Sequence, residues 1–277
     1  MILLGTAGGP ALRPGRSSPA AAVVVDDAVY VVDCGVGVGR QLVNAGLSPL
    51  SVKAIFLTHH HNDHNADYGN FLVSAWATGL RTPIDAYGPS LIAKLTDLAL
   101  QYHAYDIAVR MQDEGRVDPR PLFRPHAVDG PGLVMKDDRV TVTAALVHHP
   151  PVHPALAYRF DTPDRSIVFS GDTTPSENLI VLAKGADLLI HEVLLLSALD
   201  RLIARVPNAT TLREHIVAAH TVAADVGRVA DAARVTRLAL THFVPSYDPT
   251  LTDDDWRNEV RPHFGGEVVV GRDLLEV

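Results

Sequence analysis

The residues with the clearest chemistry lie at 58–64, which read Thr-His-His-His-Asn-Asp-His. His59 and His61 follow an apolar, strand-like run, so in an extended chain their imidazoles lie on the same side and can bind one ion. Asp63 and His64 come where the chain turns and are placed for a second ion. Imidazole and carboxylate ligands favour zinc, and manganese or iron less strongly. Two ions about 3.5–4 Å apart can activate water and polarise a substrate oxygen, so the segment predicts a dinuclear hydrolytic site.

Four ligands cannot complete two metal sites, so others must come from elsewhere in the chain. Candidates should lie just past the end of a strand, as the first cluster does. Three places qualify, each after a short apolar run: His148 or His149, Asp172, and His242. Strand alternation alone does not distinguish His148 from His149.

The elements that must position these residues form two blocks of strands, each followed by helices. Short apolar runs bounded by turn residues predict the strands, and apolar residues at helical spacing predict helices that include 67–79 and 89–102. Two such blocks predict an α/β (α+β) fold with two facing sheets and helices outside. No repeat or linker divides the chain, so a single domain over 1–277 is expected. The stretch 105–131 is rich in Pro, Gly and charge and is predicted to be a lid or substrate loop.

Composition excludes several classes of protein. The chain has 277 residues, 47% of them hydrophobic, which is ordinary for a folded protein. No apolar run approaches the roughly 18 residues of a membrane span, and the N-terminus lacks the basic region of a signal peptide. The lone Cys34 cannot form an intrachain disulfide, so a cytoplasmic location is expected. The formal charge of −8 lowers the expectation of nucleic-acid binding.

Together these motifs resemble the metallo-β-lactamase superfamily, and within it the branch of ribonuclease Z and arylsulfatase-like hydrolases. The resemblance covers nearly the whole chain and implies a four-layer αββα sandwich. The motifs that carry it are LGTAGG at 4–9, VDCG at 32–35, HHHNDH at 59–64, the second His of 148–149, YR at 158–159, GDT at 171–173, HE at 191–192, HT at 220–221 and TH at 241–242.

The resemblance also implies a ligand assignment and two metal ions, expected to be Zn²⁺, with Mn²⁺ or Fe²⁺ as alternatives. The implied ligands form two groups: His59, His61 and His149 for one ion, and Asp63, His64 and His242 for the other, with Asp172 bridging. Relatives place the third histidine nine residues before the Tyr of the Tyr-Arg pair, which selects His149 over His148.

Asp63 and His220 are the candidate catalytic residues. In ribonuclease Z-like relatives a histidine in a His-Ser/Thr motif is proposed to protonate the leaving group, which is the role implied for His220. A structural histidine that caps the following helix is the alternative. His191 and Glu192 resemble the family's His-Glu motif and are expected to orient the ligands or His220, with a plain strand-end pair as the alternative. Asp33 is expected to support the histidine loop from behind.

Departures from family patterns reduce the number of activities expected for this chain. His61 stands where diiron oxidoreductases of this fold carry Glu, and Asp172 supplies a bridging carboxylate that the zinc β-lactamases lack. Ribonuclease Z inserts a long tRNA-binding arm between the third histidine and this aspartate, whereas only residues 150–171 lie there in this chain.

With the acidic charge, these departures favour a small-molecule ester as substrate and make nucleic acid an unexpected partner. Phosphodiesters or sulfate esters are favoured. The alternatives are a lactonase or carboxylic esterase, a ribonuclease Z-like tRNA 3′ endonuclease, and a metal-bound binding module without turnover. No membrane partner is expected, and a homodimer is compatible with the sequence.

Overall fold

A seven-stranded sheet contains the strands of the first half of the chain and the last strand. This is seen in a computed structural model that describes residues 1–277. The order in the sheet is β14-β1-β2-β3-β4-β5-β6. The strands are β1 (Ile2–Gly5), β2 (Ala20–Val25), β3 (Ala28–Val32), β4 (Val52–Phe56), β5 (Ile84–Gly88), β6 (Phe123–Ala127) and β14 (Leu275–Glu276).

A second seven-stranded sheet faces the first and contains the remaining strands in the order β13-β12-β11-β10-β9-β8-β7. They are β7 (Gly132–Lys136), β8 (Thr141–His149), β9 (Val152–Asp161), β10 (Ser166–Phe169), β11 (Leu188–Leu194), β12 (Arg237–Val244) and β13 (Glu267–Val270). The chain therefore crosses from the second sheet back to the first after β13.

Ten α-helices accompany the sheets, and none of them is long and apolar enough to span a membrane. Five precede β7: α1 (Val38–Asn44), α2 (Asn62–Asn65), α3 (Tyr68–Ala77), α4 (Ile92–Tyr102) and α5 (Ala104–Asp113). Five follow β10: α6 (Glu177–Ala183), α7 (Leu199–Ile203), α8 (Leu212–Ala219), α9 (Ala223–Ala233) and α10 (Asp253–Val260).

Three apolar clusters separate four layers, as strand alternation requires. Between the sheets, Tyr30 and Phe56 of the first sheet meet side chains such as Tyr158 of the second. The alternate side chains, which point away from the facing sheet, pack against helices. Those of the first sheet pack against α1, α3 and α4, and those of the second pack against α6, α9 and α10. The layers are therefore α, β, β, α, and the predicted sandwich is confirmed.

The predicted lid at 105–131 is wrong, because this stretch contains α5 and β6. β6 includes Pro125, which cannot donate a ladder hydrogen bond. β6, however, is the outermost strand of its sheet, where a missing donor is tolerated. α5 buries only Ile107 among its residues, so its apolar signal is weak.

Candidate metal centre

The first sheet contributes four candidate ligands from the segment that follows β4. His59 and His61 follow the strand, and His61, whose backbone is extended, immediately precedes the one-turn helix α2. Asp63 and His64 lie on that helix and are buried. The turn therefore points four side chains of six consecutive residues toward the second sheet.

The second sheet contributes three more candidates from neighbouring strands at the same end of the sandwich. His149 is the last residue of β8, and Asp172 comes just after β10. His242 lies within β12, where one extra residue interrupts the pairing with β11. All three are buried.

Three histidines and one carboxylate converge on one position. His61 Nδ1 lies 3.1 Å from His59 Nε2 and 3.2 Å from His149 Nε2. Asp172 Oδ2 lies 3.9 Å from His59 Nε2 and 3.8 Å from His149 Nε2. A tetrahedral zinc with bonds of about 2.05 Å holds its ligand nitrogens about 3.3 Å apart, so the spacing of the imidazole nitrogens fits such an ion.

A second position lies beside the first and shares Asp172. His64 Nε2 is 3.6 Å from Asp63 Oδ2 and 3.4 Å from Asp172 Oδ1. His242 Nε2 is 3.5 Å from Asp63 Oδ2 and 3.2 Å from Asp172 Oδ2. Asp172 thus lies between the two groups of ligands, one carboxylate oxygen close to His64 and the other close to His242, His149 and His59.

Several atoms at these positions are buried without a hydrogen-bond partner. They are His64 Nε2, Asp172 Oδ1 and both ring nitrogens of His242. Buried polar atoms in folded proteins are nearly always paired, and a lone pair left unpaired is costly. The histidine and aspartate ligand atoms of each group lie within 4.8 Å of one another. The clusters are therefore suited to bind metal ions.

The electrostatics keep three of the candidate ligands, His59, Asp63 and Asp172, in the form that metals bind. Burial, and then the neighbouring His64, holds the pKa of His59 well below its usual range, so its imidazole is neutral. Burial alone would raise the pKa of Asp63, but His64 and His242 outweigh it and lower the pKa to about 2. The same balance, with His242 and His64 dominant over burial, holds the pKa of Asp172 well below its usual range.

Hydrogen bonds behind the ligands set which ring nitrogen is free. Asp33 accepts from His64 Nδ1 at 2.8 Å, and Asp33 also accepts from the Thr58 backbone and hydroxyl. His149 Nδ1 donates to the Ala219 carbonyl at 2.8 Å. Such bonds fix the orientation of an imidazole and its tautomer. Thr58 and Ala219 were not expected from the sequence, because nothing in their local pattern marks them.

His220 lies at the edge of the cluster with Glu192 beside it. It follows α8 as the residue that ends this helix, and its ring centroid is 5.1 Å from that of His149 and 5.6 Å from that of His242. Its Nδ1 lies 3.1 Å from Glu192 Oε2. Burial alone would lower the pKa of His220, but Glu192 and then Asp172 outweigh it and raise the pKa to about 9.

Glu192 also accepts from the backbone N–H groups of Thr173 and Thr221 at 3.0 and 3.2 Å. It therefore ties the loop after Asp172 to the loop after His220. His191 is not brought to the ligands. Alternation along β11 puts it on the helix side with Val193, and its Nδ1 donates to the carbonyl of Glu192 at 2.7 Å.

His148 lies outside the cluster, exposed, while the adjacent His149 is buried within it. Alternation along β8 explains the difference, since consecutive side chains point to opposite faces. His60 is turned away as well, with Nε2 within 3.1 Å of the Pro89 and Ser90 carbonyls. The geometry therefore selects His149, the residue that the resemblance implied, whereas strand alternation in the sequence alone does not distinguish the two.

Two facing sheets between helices, with a histidine and aspartate cluster at one end, define a metallo-hydrolase fold. The model of the metallo-beta-lactamase superfamily matches residues 13–218. Ribonuclease Z of Mycobacterium bovis is 31% identical over 280 residues, which cover 100% of this chain and 97% of the relative, and Ribonuclease Z of Mycobacterium tuberculosis is 30% identical with the same coverage. The chain belongs to the metallo-β-lactamase superfamily and is a metal-dependent hydrolase of that superfamily.

Solved structures support the fold. The metallo-beta-lactamase fold protein YhfI from Bacillus subtilis has a TM-score of 0.73 at 22% identity and covers 99% of this chain and 96% of its own. The short form of human tRNase Z has a TM-score of 0.72 at 20% identity with the same coverage. At these identities the likeness shows the fold alone.

The prediction of a small-molecule substrate and no nucleic acid is wrong, because the whole chain matches relatives named Ribonuclease Z. The lack of a long arm does not exclude an RNA substrate, since a relative matched over 97% of its length has no long extra segment. The formal charge does not exclude one either, because −8 is a sum over the whole chain. It takes no account of divalent ions, which dominate the local charge of a metal site.

Proposed function

We propose that this chain is an endoribonuclease that removes the 3′ trailer of precursor tRNA by hydrolysing a phosphodiester bond. The observation that carries the proposal is the 31% identity to Ribonuclease Z along the full length of this chain. The clustered ligands and the His220–Glu192 pair supply the groups that such a reaction needs.

Seven residues would hold two ions. His59, His61 and His149 form one group, Asp63, His64 and His242 form the other, and Asp172 lies between them. When bound, two divalent ions lower the pKa of water and neutralise charge on a phosphodiester. With two carboxylates and five neutral imidazoles, the site carries net positive charge once loaded, which suits a polyanionic substrate.

His220 is placed to give a proton to the leaving oxygen. Glu192 engages Nδ1, so Nε2 is the ring nitrogen left to carry the transferable proton. The oxygen of water forms the new bond to phosphorus, the bond to the ribose 3′ oxygen breaks, and that oxygen takes the proton. The products are a tRNA with a 3′ hydroxyl and a trailer with a 5′ phosphate.

Cleavage of a labelled precursor tRNA by the Zn²⁺-loaded protein tests the proposal. We expect one cut at the 3′ side of the acceptor stem, with a 3′ hydroxyl on the upstream product. His149→Ala should abolish the cut and lose bound metal, because its Nε2 lies within the first ligand group. His148→Ala is the matched control, since this neighbouring histidine is exposed and should leave metal and cleavage unchanged.

An intact precursor after incubation with protein that holds two ions would contradict the proposal. So would cleavage that survives His149→Ala, because the nuclease would then be a contaminant.

A further inference from the structure

His242 differs from the other buried histidines in how it is held. His64 and His149 each engage a carboxylate or carbonyl through Nδ1, whereas Nδ1 of His242 has no hydrogen-bond partner. Its backbone has a φ of 45°, an uncommon value for a residue other than glycine. It is also the extra residue in the pairing of β11 with β12. A bulge of this kind redirects a side chain, so the orientation of His242 depends on the main chain around it.

The loop after β1 holds the main chain on the C-terminal side of His242. The Phe243 N–H donates to the Thr6 carbonyl at 3.1 Å, and the Gly8 N–H donates to the Phe243 carbonyl at 3.1 Å. Gly8 permits this approach, because a Cβ at that position would lie 2.7 Å from the Phe243 carbonyl oxygen and 2.9 Å from His242 Nδ1. The loop and the bulged strand therefore pack as one unit.

That loop is fixed in turn by Asp273, in the crossover from β13 to β14. Asp273 Oδ1 accepts from the Thr6 N–H at 3.0 Å and from the Thr6 hydroxyl at 2.8 Å. Its Oδ2 accepts from the Ser17 N–H at 2.5 Å and from Gln41 Nε2 at 3.2 Å. Arg16 adds to the same unit, since it donates to the Thr6 hydroxyl at 2.6 Å and its guanidinium lies 4.1 Å from the centre of the Phe243 ring.

We propose that Asp273 is a positioning residue for the metal centre, acting through Thr6 and Phe243 to orient His242 toward Asp63 and Asp172. The inference rests on the two-ion site of the proposed function and does not depend on the substrate being RNA. The carboxylate uses both oxygens and four donors, so it holds the N-terminal loop in one position. Without it, the loop no longer constrains the bulge, and His242 loses the support that replaces a side-chain hydrogen bond.

Zn²⁺ titration of the full chain tests this role, with Co²⁺ absorption spectroscopy as a second readout. Asp273→Ala should lower the affinity for one of the two Zn²⁺ ions by about 10–100-fold, which is the usual effect of removing a residue that orients a ligand. The other ion should bind with unchanged affinity. The Co²⁺ spectrum of the variant should change in band position. Arg272→Ala is the matched control, because this adjacent exposed side chain pairs only with Asp253 and should leave both readouts unchanged.

A second pair of variants separates positioning from folding. Thr6→Val removes the hydroxyl with little change of shape and should lower the affinity for the same ion. Thr6→Ser keeps the hydroxyl and should retain wild-type affinity. This pair decides the question if Asp273→Ala does not fold.

Folded Asp273→Ala with two ions bound at wild-type affinity and an unchanged Co²⁺ spectrum would overturn the inference, as would equal weakening by Thr6→Ser and Thr6→Val. A wild-type protein that binds no Zn²⁺ would overturn the proposed function and this inference together.

Discussion

At the residue scale, His220 and His149 differ in the group that holds Nδ1. Glu192, a buried carboxylate, holds Nδ1 of His220, whereas Nδ1 of His149 donates to a neutral carbonyl. A carboxylate partner stabilises the protonated imidazole, in keeping with the raised pKa of His220. A neutral carbonyl leaves the imidazole of His149 available for metal.

We therefore expect His220→Ala to retain both ions and to slow precursor tRNA cleavage by about 10²–10⁴-fold, the usual contribution of a general acid. The loss should be much smaller on a p-nitrophenyl phosphodiester probe, whose leaving group needs little protonation. Single-turnover rates on the two substrates, with metal analysis of the same samples, measure the difference. Equal losses on both substrates would contradict a proton-donating role, and loss of metal would make His220 a ligand.

At the element scale, tight backbone turns at strand ends orient the candidate metal ligands. Gly171 lies between β10 and Asp172 with a φ of 59°, and a Cβ there would lie 2.6 Å from the Leu156 carbonyl oxygen. Gly35 likewise lets the loop after β3 approach α2, since its Cβ would lie 2.3 Å from the Asp63 carbonyl oxygen. These glycines allow neighbouring segments to pack closely enough for ligands from two sheets to meet.

Gly171→Ala is accordingly expected to lower the free energy of unfolding by more than about 1–2 kcal/mol, the cost of a left-handed backbone for an L-residue, because the Leu156 contact adds to it. Bound metal should fall too, since Asp172 is the next residue. Urea unfolding and metal analysis measure both effects. Gly265→Ala is the control, with no atom within 4 Å of the added Cβ and no positive φ. Indistinguishable stabilities for the two variants would show that the turn tolerates a side chain.

At the scale of the whole molecule, the candidate metal centre lies between the two sheets. Its candidate ligands come from the segment after β4 in one sheet and from β8, β10 and β12 in the other. In the metal-free protein this end of the sandwich contains mutually facing imidazoles and buried carboxylates. Bound ions would therefore act as a cross-link between sheets that otherwise meet through apolar contacts.

Metal loading should raise the melting temperature. A free concentration 100 times Kd contributes about 2.7 kcal/mol for one site, and each kcal/mol shifts Tm by about 2–4 °C at this chain length. Calorimetry of chelator-treated protein before and after Zn²⁺ addition should thus show a rise of about 5–11 °C per occupied site. Asp172→Ala should show a much smaller rise, because its carboxylate faces both groups of ligands. An identical Tm with and without Zn²⁺ would contradict binding across the sheets.

Much of the candidate site could be predicted from the sequence because its determinants are local. The spacing of His59, His61, Asp63 and His64 depends only on an extended segment and one turn. The remaining candidates were found because each follows an apolar run, and strands of one sheet end at a common edge. The αββα layers followed from two blocks of strands and helices, since alternating apolar residues must be buried on both faces.

Only the tertiary structure decided which neighbours meet across the fold. It separated Glu192 from His191, because the two side chains point to opposite faces of β11. It placed α5 and β6 where composition predicted a loop. It also brought Asp273 to Thr6, 267 positions away in the chain. Such a contact is created by sheet order and by the crossover to β14, and no local pattern of residue types records it.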